Sequence, residues 1–371
     1  MIAVRPGAVG LLGEALAELP VDDVLLVVGD RSWQAAREPV MRALDGRRVE
    51  VYSGFRNNPR IDDVDAGIRL LRTLSRPAVV AVGGGSAIDM GKLIALFSAQ
   101  PGPPAQMLGQ DFVATDVPVI AVPTTAGTGS EATPFATVYA GRVKHSASHA
   151  SILPAGALVD AQLAMSMPAY VTACTGLDAL VQAVESMWAV RSTDESMSHA
   201  RVAIVLALAH LPAAVQRPTL IDRTVMAEAA WHAGCAIAHT RTTACHALSY
   251  PMTIGWGVPH GHAVALTLAA MVEHNGAVRD HDCVDARGAA AVRVVIDEIC
   301  ALFGVAGPAA FRARWVEFVA SLGLATSLSA VGITTEADLL SIVDAVNLQR
   351  LANNPRAVAR DDMVRLLCSL G

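Results

Sequence analysis

The first 160 residues alternate short apolar runs of β-type residues with helical segments, and this alternation constrains the fold more than any other feature. Runs of this kind separated by helices predict a parallel sheet covered by helices, because parallel strands need crossover connections. We therefore predict an α/β N-terminal domain. The runs are DVLLVVGD (23–30), RRVEVYSGF (47–55), the start of AVVAVGGGSAIDMGKLIALF (78–97), and VPVIAVPTT (117–125).

The β-type signals nearly vanish after residue 162, and alanine-rich helical segments replace them. The segment GALVDAQLA (156–164) marks the change, so we predict an α/β domain at 1–161 and an all-α domain at 162–371. The absence of repeats and of a low-complexity linker favours direct packing of the halves around a cleft. The predicted helices cover 167–190, 194–215, 222–238, 262–273, 287–303, 308–322 and 335–346.

The composition is that of a globular protein with a large core. Hydrophobic residues make up 53% of the chain and charged residues 17%, which excludes disorder. The best membrane-span candidate, VAIVLALAHLPAAV (202–215), has about fourteen residues and contains His210 and Pro212. A transmembrane helix needs roughly 20 residues. Because the N-terminus also lacks the pattern of a signal peptide, we predict a soluble, cytoplasmic protein with no membrane partner.

Charge and cysteine usage exclude two further classes. The formal net charge is −6 and the basic residues are not clustered, so nucleic acid is not an expected partner. The six cysteines are dispersed and form no CxxC pair, which argues against a disulfide scaffold and a zinc ribbon.

A glycine-rich turn follows the third β-type run. In VGGGSAID, Gly84, Gly85 and Ser86 come after an apolar strand and open a helix. Glycines let backbone N–H groups approach a phosphate closely, and the helix N-terminus adds partial positive charge. The turn is a candidate pyrophosphate site, with an ordinary tight strand-to-helix turn as the alternative, since the motif is not GxGxxG.

A hydroxyl-rich loop, PTTAGTGSEAT, ends the next run. Thr124, Thr125 and Thr128 offer hydroxyl groups, and the intervening glycines offer backbone access. Ligands of open α/β sheets bind beyond the carboxyl ends of the strands, so two such loops favour a dinucleotide site over ordinary surface loops. Gly29, Arg31 and Ser32 follow the first run, where a dinucleotide ribose is commonly bound.

The second half contains a candidate metal site. Asp178, Gln182 and Glu185 share one face of the predicted helix TGLDALVQAVESMWA. His246 and His260 are separated by Pro251 and two glycines, among other residues, so we expect them on different segments that converge. One aspartate and two histidines are a reasonable ligand set for a divalent metal, whereas a single buried histidine is more often a satisfied core residue.

These motifs together resemble the iron-containing (group III) alcohol dehydrogenase family. The resemblance runs from FRNNPRIDDVDAG (55–67) through the glycine turn and PTTAGTGSE to GLDAL and HALSYP…VPHG, and so covers essentially the whole chain. It implies a Rossmann-like domain, a helical C-terminal domain, and a divalent metal, Fe²⁺ or Zn²⁺, beside NADPH or NADH. It also implies a homo-oligomer, with a dimer expected.

The resemblance assigns the metal ligands as Asp178, His246 and His260. Gln182 stands where the family usually has a fourth, histidine ligand, and its side-chain oxygen is the weaker donor. Tyr250 stands where a histidine often relays protons, and a phenol can replace it as donor. His262 is expected beside the ligands or facing the cofactor, and with Tyr250 it is a candidate catalytic residue.

Cofactor selection follows from two further positions. Gly29 stands where the family has its NAD-selecting aspartate, which removes a carboxylate that would repel a 2′-phosphate. With Arg31 and Ser32 nearby, this favours NADPH. Lys144, in GRVKHS, matches a family lysine near the cofactor, although without the family it would be an exposed loop residue.

Within the family, GLDALVQAVES, CHALSYPMTIGWGVPHGHAVALTL and NLQRLANNPR most resemble phosphonoacetaldehyde reductases. The implied reaction reduces a small aldehyde, phosphonoacetaldehyde, to 2-hydroxyethylphosphonate for phosphonate biosynthesis. The metal would act as Lewis acid and Tyr250 or water as proton donor. Arg241 and Thr243, just before His246, are the candidate phosphonate contacts, because arginine binds such anions bidentately. An interdomain or surface salt bridge is the alternative role for Arg241.

Three alternatives remain open at the level of sequence. One is another alcohol or aldehyde dehydrogenase of this family that acts on an uncharged substrate. A second is a dehydroquinate-synthase-like cyclase, which shares the architecture and the metal site but surrounds its substrate phosphate with many lysines and arginines. A third is a relative that has lost its metal, as Gln182 could indicate.

Overall fold

The computed structural model describes residues 1–141, 143–346 and 348–371, and within these it does not describe the side chains of Asp30, Arg31, Ser32 and Gln349. The chain divides into two compact units. The first contains residues 1–167 and 219–234, and the second contains residues 168–218 and 235–371. The domain division after residue 161 stays a prediction.

The first unit is built on a parallel sheet with the strand order β1-β8-β5-β4-β2-β3. Its central strands are almost entirely buried, as expected where helices cover both faces. This sheet, together with the helical second unit, confirms the predicted fold class. Its strands are β1 (Ile2–Val4), β2 (Val24–Val28), β3 (Val49–Tyr52), β4 (Ala78–Gly83), β5 (Val119–Pro123) and β8 (Gly156–Val159).

Alternate residues of each central strand enter two different cores. In β2, Leu25 and Val27 pack in one core, whereas Leu26 and Val28 pack in the other. This is the period of two that a strand imposes on its side chains. Helices α3 and α4 contribute to the first core, and α1 and α2 to the second. The helices of this unit are α1 (Leu12–Ala17), α2 (Asp30–Ala43), α3 (Ile61–Leu71), α4 (Gly85–Ser98) and α5 (Pro104–Met107).

A separate antiparallel hairpin also belongs to the first unit. It joins β6 (Phe135–Ala140) to β7 (Val143–Ser148) and follows the hydroxyl-rich loop. The alternation of the first 160 residues did not predict it.

The second unit is helical. Helix α8 begins in the first unit and ends in the second. The helices are α6 (Ala169–Trp188), α7 (Asp194–Gln216), α8 (Leu220–Thr240), α9 (Ala244–Trp256), α10 (His260–Gly276), α11 (Ala289–Leu302), α12 (Pro308–Ser321), α13 (Glu336–Asp344), α14 (Leu348–Leu351) and α15 (Arg360–Cys368).

Helix α7 is longer than the stretch of about fourteen residues considered as a membrane span. Pro212 lies inside it, as in the predicted helix at 194–215, and the helix is 23 residues long. By length and composition alone it could cross a membrane, a test that a core helix of a soluble protein also passes. A stripe that includes Ala200, Ile204, Ala207 and Leu211 is buried, and Leu211 lies against Gly176 of α6. Both features are typical of a helix that packs within a globular unit.

The hydroxyl-rich loop of the first unit lies directly on α8. Gly129 has φ +60°, and a Cβ atom there would lie 2.3 Å from Cα of Gly234. Real Cβ contacts are never this short, and the obstacle is backbone that no rotamer change can relieve. The glycine therefore lets the loop and the helix touch.

We expect Gly129→Ala to lower the free energy of unfolding by about 1–3 kcal/mol more than Gly141→Ala does. Gly141 has nearly the same φ, +59°, but nothing within 4 Å of its Cβ position, so it reports the backbone strain alone. Denaturant unfolding of both variants measures the difference. Equal losses would contradict the close approach.

Candidate active site

Helix α6 carries a row of buried polar side chains. Asp178, Gln182 and Glu185 lie on one face, and at most 4% of the surface of each is exposed. Polar groups this deep need hydrogen-bond or ionic partners, and carboxylates need them most. The partners of the two carboxylates define the site.

The two predicted histidine ligands lie on successive helices. His246 is the third residue of α9, and His260 is the first residue of α10. Gly257, in the left-handed conformation, ends α9, and Pro259 precedes α10. The GWGVPHG sequence thus turns the chain sharply between the two histidines.

Gly261 sets the position of His260. A Cβ atom at residue 261 would lie 1.8 Å from the carbonyl oxygen of Cys174, one turn before Asp178 on α6. The start of α10 can approach α6 this closely only without a side chain. This contact brings the His260 ring toward Asp178.

Asp178, His246 and His260 converge on one point. Nε2 of His246 lies 3.3 Å from Oδ1 of Asp178, and Nε2 of His260 lies 3.8 Å from the same oxygen. One donor atom from each residue lies within 4.8 Å of the others. Ligands about 2.1 Å from a tetrahedral ion lie about 3.4 Å apart. The donor set and its spacing therefore fit a divalent cation.

Both imidazole rings are oriented by hydrogen bonds at Nδ1. Nδ1 of His246 donates to Oε2 of Glu185 at 2.5 Å. The Ser249 hydroxyl donates to the His246 carbonyl at 2.8 Å, so it accepts from Nδ1 of His260 at 3.2 Å. In both rings Nε2 is thereby left as the donor for a metal. Sequence reasoning placed Glu185 on the right face but missed this role, and it missed Ser249 altogether.

Glu185 is held by several donors. Its Oε1 accepts from Thr243 Oγ1 at 2.7 Å and from the Cys245 backbone N–H at 2.7 Å. Burial would raise the pKa of Glu185, but His246 and these hydrogen bonds hold it below its usual value. Burial would also lower the pKa of His246, yet attraction to Glu185 and hydrogen bonds to Asp178 and Glu185 raise it to about 10.

Thr243 is a partner of Glu185, a role that the sequence did not predict. Its side chain is fully buried, its hydroxyl donates to Glu185, and it accepts from Nε1 of Trp188 at 2.8 Å. This hydroxyl therefore orients Glu185, and the substrate contact predicted for Thr243 stays a prediction. Arg241, two residues earlier, is half-buried and has φ +64°.

Gln182, Tyr250 and His262 are placed in different ways near the three converging residues. Gln182 is buried one turn after Asp178. The Tyr250 ring stacks on the His260 ring, with centroids 5.3 Å apart and planes within 8°. His262 is buried, and its Nε2 donates to the Ala325 carbonyl at 2.7 Å. The ligand role of Gln182 and the catalytic roles of Tyr250 and His262 stay predictions.

The two predicted dinucleotide loops are neighbours in the first unit. A Cβ atom on Gly84 would lie 3.3 Å from Thr125 Oγ1, and one on Gly85 would lie 2.7 Å from Thr128 Oγ1. Thr124 Oγ1 is buried and has no hydrogen-bond partner among the described residues. Gly84 caps α4, whose first turn carries Ser86. The loops thus form a glycine-lined cradle with hydroxyls at a helix N-terminus, which fits a dinucleotide pyrophosphate.

A buried lysine ties these loops together, and sequence reasoning missed it. Lys92 of α4 is fully buried, and its Nζ donates to the carbonyls of Ser130, Thr133 (2.7 Å) and Phe135 (3.1 Å). Burial lowers its pKa to about 8 against the attraction of Asp89 and Glu131. A lysine seven residues after a glycine turn in an apolar helix was the available signal.

The remaining predicted cofactor contacts are distributed around the first unit. Gly29 follows β2 and caps α2, and Lys144 lies in β7 opposite Tyr139. The side chains of Arg31 and Ser32 lie outside the described residues.

Comparison with known proteins covers nearly the whole chain. The family model described as iron-containing alcohol dehydrogenase matches residues 1–161. The model for the C-terminal part of the same family matches residues 172–370.

Several known proteins are similar to this chain. A phosphonoacetaldehyde reductase of Streptomyces viridochromogenes is 36% identical over 99% of this chain and 97% of its own length. A long-chain-alcohol dehydrogenase of Geobacillus thermodenitrificans is 31% identical over 86% of this chain and 81% of its own length. The solved sulfoacetaldehyde reductase of Bifidobacterium kashiwanohense, in complex with NAD+, matches with a TM-score of 0.88 and 28% identity, covering 100% of this chain and 96% of that one.

We expect Glu185→Gln to weaken metal binding about 10- to 100-fold, because the amide cannot hold His246 as a carboxylate does. Metal content after dialysis and competition with a coloured chelator measure the affinity. Glu298→Gln, which removes a carboxylate paired with Arg201, is the control and should leave the affinity unchanged. Unchanged affinity in Glu185→Gln would contradict the role assigned to Glu185.

Proposed function

This chain belongs to the iron-containing alcohol dehydrogenase family, and we propose that it reduces phosphonoacetaldehyde to 2-hydroxyethylphosphonate with a reduced nicotinamide dinucleotide. The observation that carries the proposed chemistry is the convergence of Asp178, His246 and His260. The substrate is supported by the relative of that activity, which matches 99% of the chain at 36% identity.

We propose Asp178, His246 and His260 as the residues that hold the metal, with Gln182 as a possible fourth donor on the same face of α6. Fe²⁺ or Zn²⁺ bound there would polarise the aldehyde oxygen as a Lewis acid. Glu185 and Ser249 orient the two imidazoles through Nδ1, so the site needs little rearrangement to bind a cation once Nε2 of His246 has lost its proton.

The hydride donor is proposed to be NADPH or NADH held by the glycine turn and the hydroxyl-rich loop. Gly84, Gly85 and Ser86 would hold the pyrophosphate at the start of α4, and Thr124, Thr125 and Thr128 would supply hydroxyl donors. Gly29, Arg31 and Ser32 favour NADPH, because the first lacks a carboxylate and the others can accommodate a 2′-phosphate. Lys144 remains a further proposed contact.

The reaction adds a hydride to the carbonyl carbon and a proton to the oxygen. Tyr250 is the proposed proton donor, and its ring is held against His260 by stacking. The phenol proton passes to the alkoxide as the C–H bond forms, and water then restores the phenol. The products are a primary alcohol and the oxidised dinucleotide.

A second candidate is the reduction of an uncharged aldehyde. The long-chain-alcohol dehydrogenase that matches 86% of this chain favours it. A cytoplasmic location and a homodimer remain predictions from the sequence.

The deciding experiment follows the oxidation of NADPH and NADH with phosphonoacetaldehyde or butanal, after loading with Fe²⁺, Zn²⁺ or no metal. We expect metal-dependent turnover, a higher kcat/KM for phosphonoacetaldehyde, and a preference for NADPH. A higher kcat/KM for butanal would favour the uncharged substrate, and full activity after complete metal removal would refute the metal role.

We also expect metal binding to release about one proton per site near pH 7.5. The pKa of His246 in the cation-free site is about 10, so the ring is protonated there, and a metal needs its Nε2 free. Affinity should therefore rise with pH up to about 10. Calorimetry in buffers of different ionisation enthalpy counts the protons, and Glu185→Gln should release fewer because it lacks the carboxylate that raises this pKa. No proton release in the unmodified protein would contradict the expectation.

A further inference from the structure

Three arginines of the second unit lie close enough for their charges to interact. Arg191 follows α6, Arg241 lies between α8 and α9, and Arg350 lies in α14. Burial, together with the positive charges of Arg350 and Arg191, lowers the pKa of Arg241 to about 10. Like charges held close together are unfavourable unless an anion joins them.

Arg350 contacts neutral groups in the part of the chain that the structure describes. Its Nη1 donates to Thr242 Oγ1 at 3.0 Å, and its Cζ lies 6.0 Å from the centre of the Tyr250 ring. It forms no ion pair with a carboxylate among the described residues. A half-buried guanidinium has five N–H donors, so most of its capacity is not used by these contacts.

The segment that carries Arg241 is held at several points. Asn353 Nδ2 donates to the carbonyls of Thr240 (2.8 Å) and Thr242 (3.2 Å), and the Thr243 N–H donates to Glu185 at 3.1 Å. Arg241 itself keeps φ +64°, a conformation that is costly for any residue with a side chain. Such strain persists where the surroundings impose it, and it is common at binding sites.

Tyr250 connects this arginine group with the candidate metal centre. The Tyr250 ring stacks on the His260 ring and is also a neighbour of the Arg350 guanidinium. A ligand that places its carbonyl at the metal and an anionic group at the arginines would therefore lie along Tyr250. The His260 ring centre and Arg350 Cζ lie 5.3 Å and 6.0 Å from the centre of this one ring, which favours a small substrate.

We propose that Arg350 and Arg241 form a subsite for the phosphonate group of the substrate, next to Tyr250. This inference rests on the proposed function and extends it to residues that determine substrate class. Guanidinium groups bind tetrahedral oxyanions bidentately, and two of them match a dianion better than a monoanion. The preferred substrates are small aldehydes with a terminal phosphonate.

The test compares phosphonoacetaldehyde with 3,3-dimethylbutanal, which has nearly the same shape but no charge. In Arg350→Gln, kcat/KM for phosphonoacetaldehyde should fall about 10- to 100-fold, while that for 3,3-dimethylbutanal changes less than about threefold. Arg350→Lys should restore part of the loss. The control Arg360→Gln removes an exposed guanidinium paired with Asp344 and should change neither value.

Binding of methylphosphonate, measured by calorimetry, separates the subsite from the reaction. We expect it to bind the metal-loaded protein and to bind Arg350→Gln about 10- to 100-fold more weakly at equal metal content. An equal loss on both aldehydes, or no effect of the substitution on methylphosphonate binding, would overturn the subsite. Turnover of 3,3-dimethylbutanal without turnover of phosphonoacetaldehyde would refute the proposed substrate, while an Arg350-dependent affinity for methylphosphonate would still support the subsite.

Discussion

The second unit depends on a carboxylate that has no access to water. Glu185 is fully buried in α6. Its charge is tolerated because His246 of α9 and Thr243, the residue that precedes α9, donate hydrogen bonds to it. Removing one partner of such a buried pair typically costs about 3–5 kcal/mol, since the other charge is left uncompensated. The same bond that joins the two helices also orients the first imidazole, so the fold and the candidate metal centre share one interaction.

Lys92 has a comparable role in the first unit. Its ammonium group is surrounded by carbonyl and hydroxyl oxygens of one chain segment, as a bound cation would be. The glycine turn that begins α4 and the hydroxyl-rich loop are thereby held by the same helix. Each unit uses an internal charge to fix the backbone near its proposed ligand.

The sequence was sufficient for the elements with strong periodicity. Strands β2, β4 and β5 are continuous apolar runs, and α6, α7, α8, α11 and α12 were predicted within a few residues. The very short β1 and β8 and the β6–β7 hairpin were missed, because three or four residues carry no clear period and the hairpin strands are only partly apolar. Helix α9 was not predicted because Pro251 lies within it.

For the site, the sequence could indicate which residue types converge but not how they are held. The ligand set followed from spacing and resemblance, whereas the roles of Ser249 and Arg350 depend on contacts between residues 11 and 108 positions apart. The bond from Thr243 to Glu185 was not predicted, because the proximity of Thr243 to His246 in the chain said nothing about which way its hydroxyl faces.

Gly261 has a consequence for how such a centre can change. Helices α6 and α10 meet backbone to backbone at Gly261, so main-chain geometry sets the position of His260. No side chain lies between the two helices there that could change their separation. The preference of the proposed site for one metal ion over another would then be altered more readily by substituting Gln182, the proposed fourth donor, than by moving the helices apart. The backbone contact fixes the positions of the proposed ligands, whereas a substitution changes which ligand atoms are present.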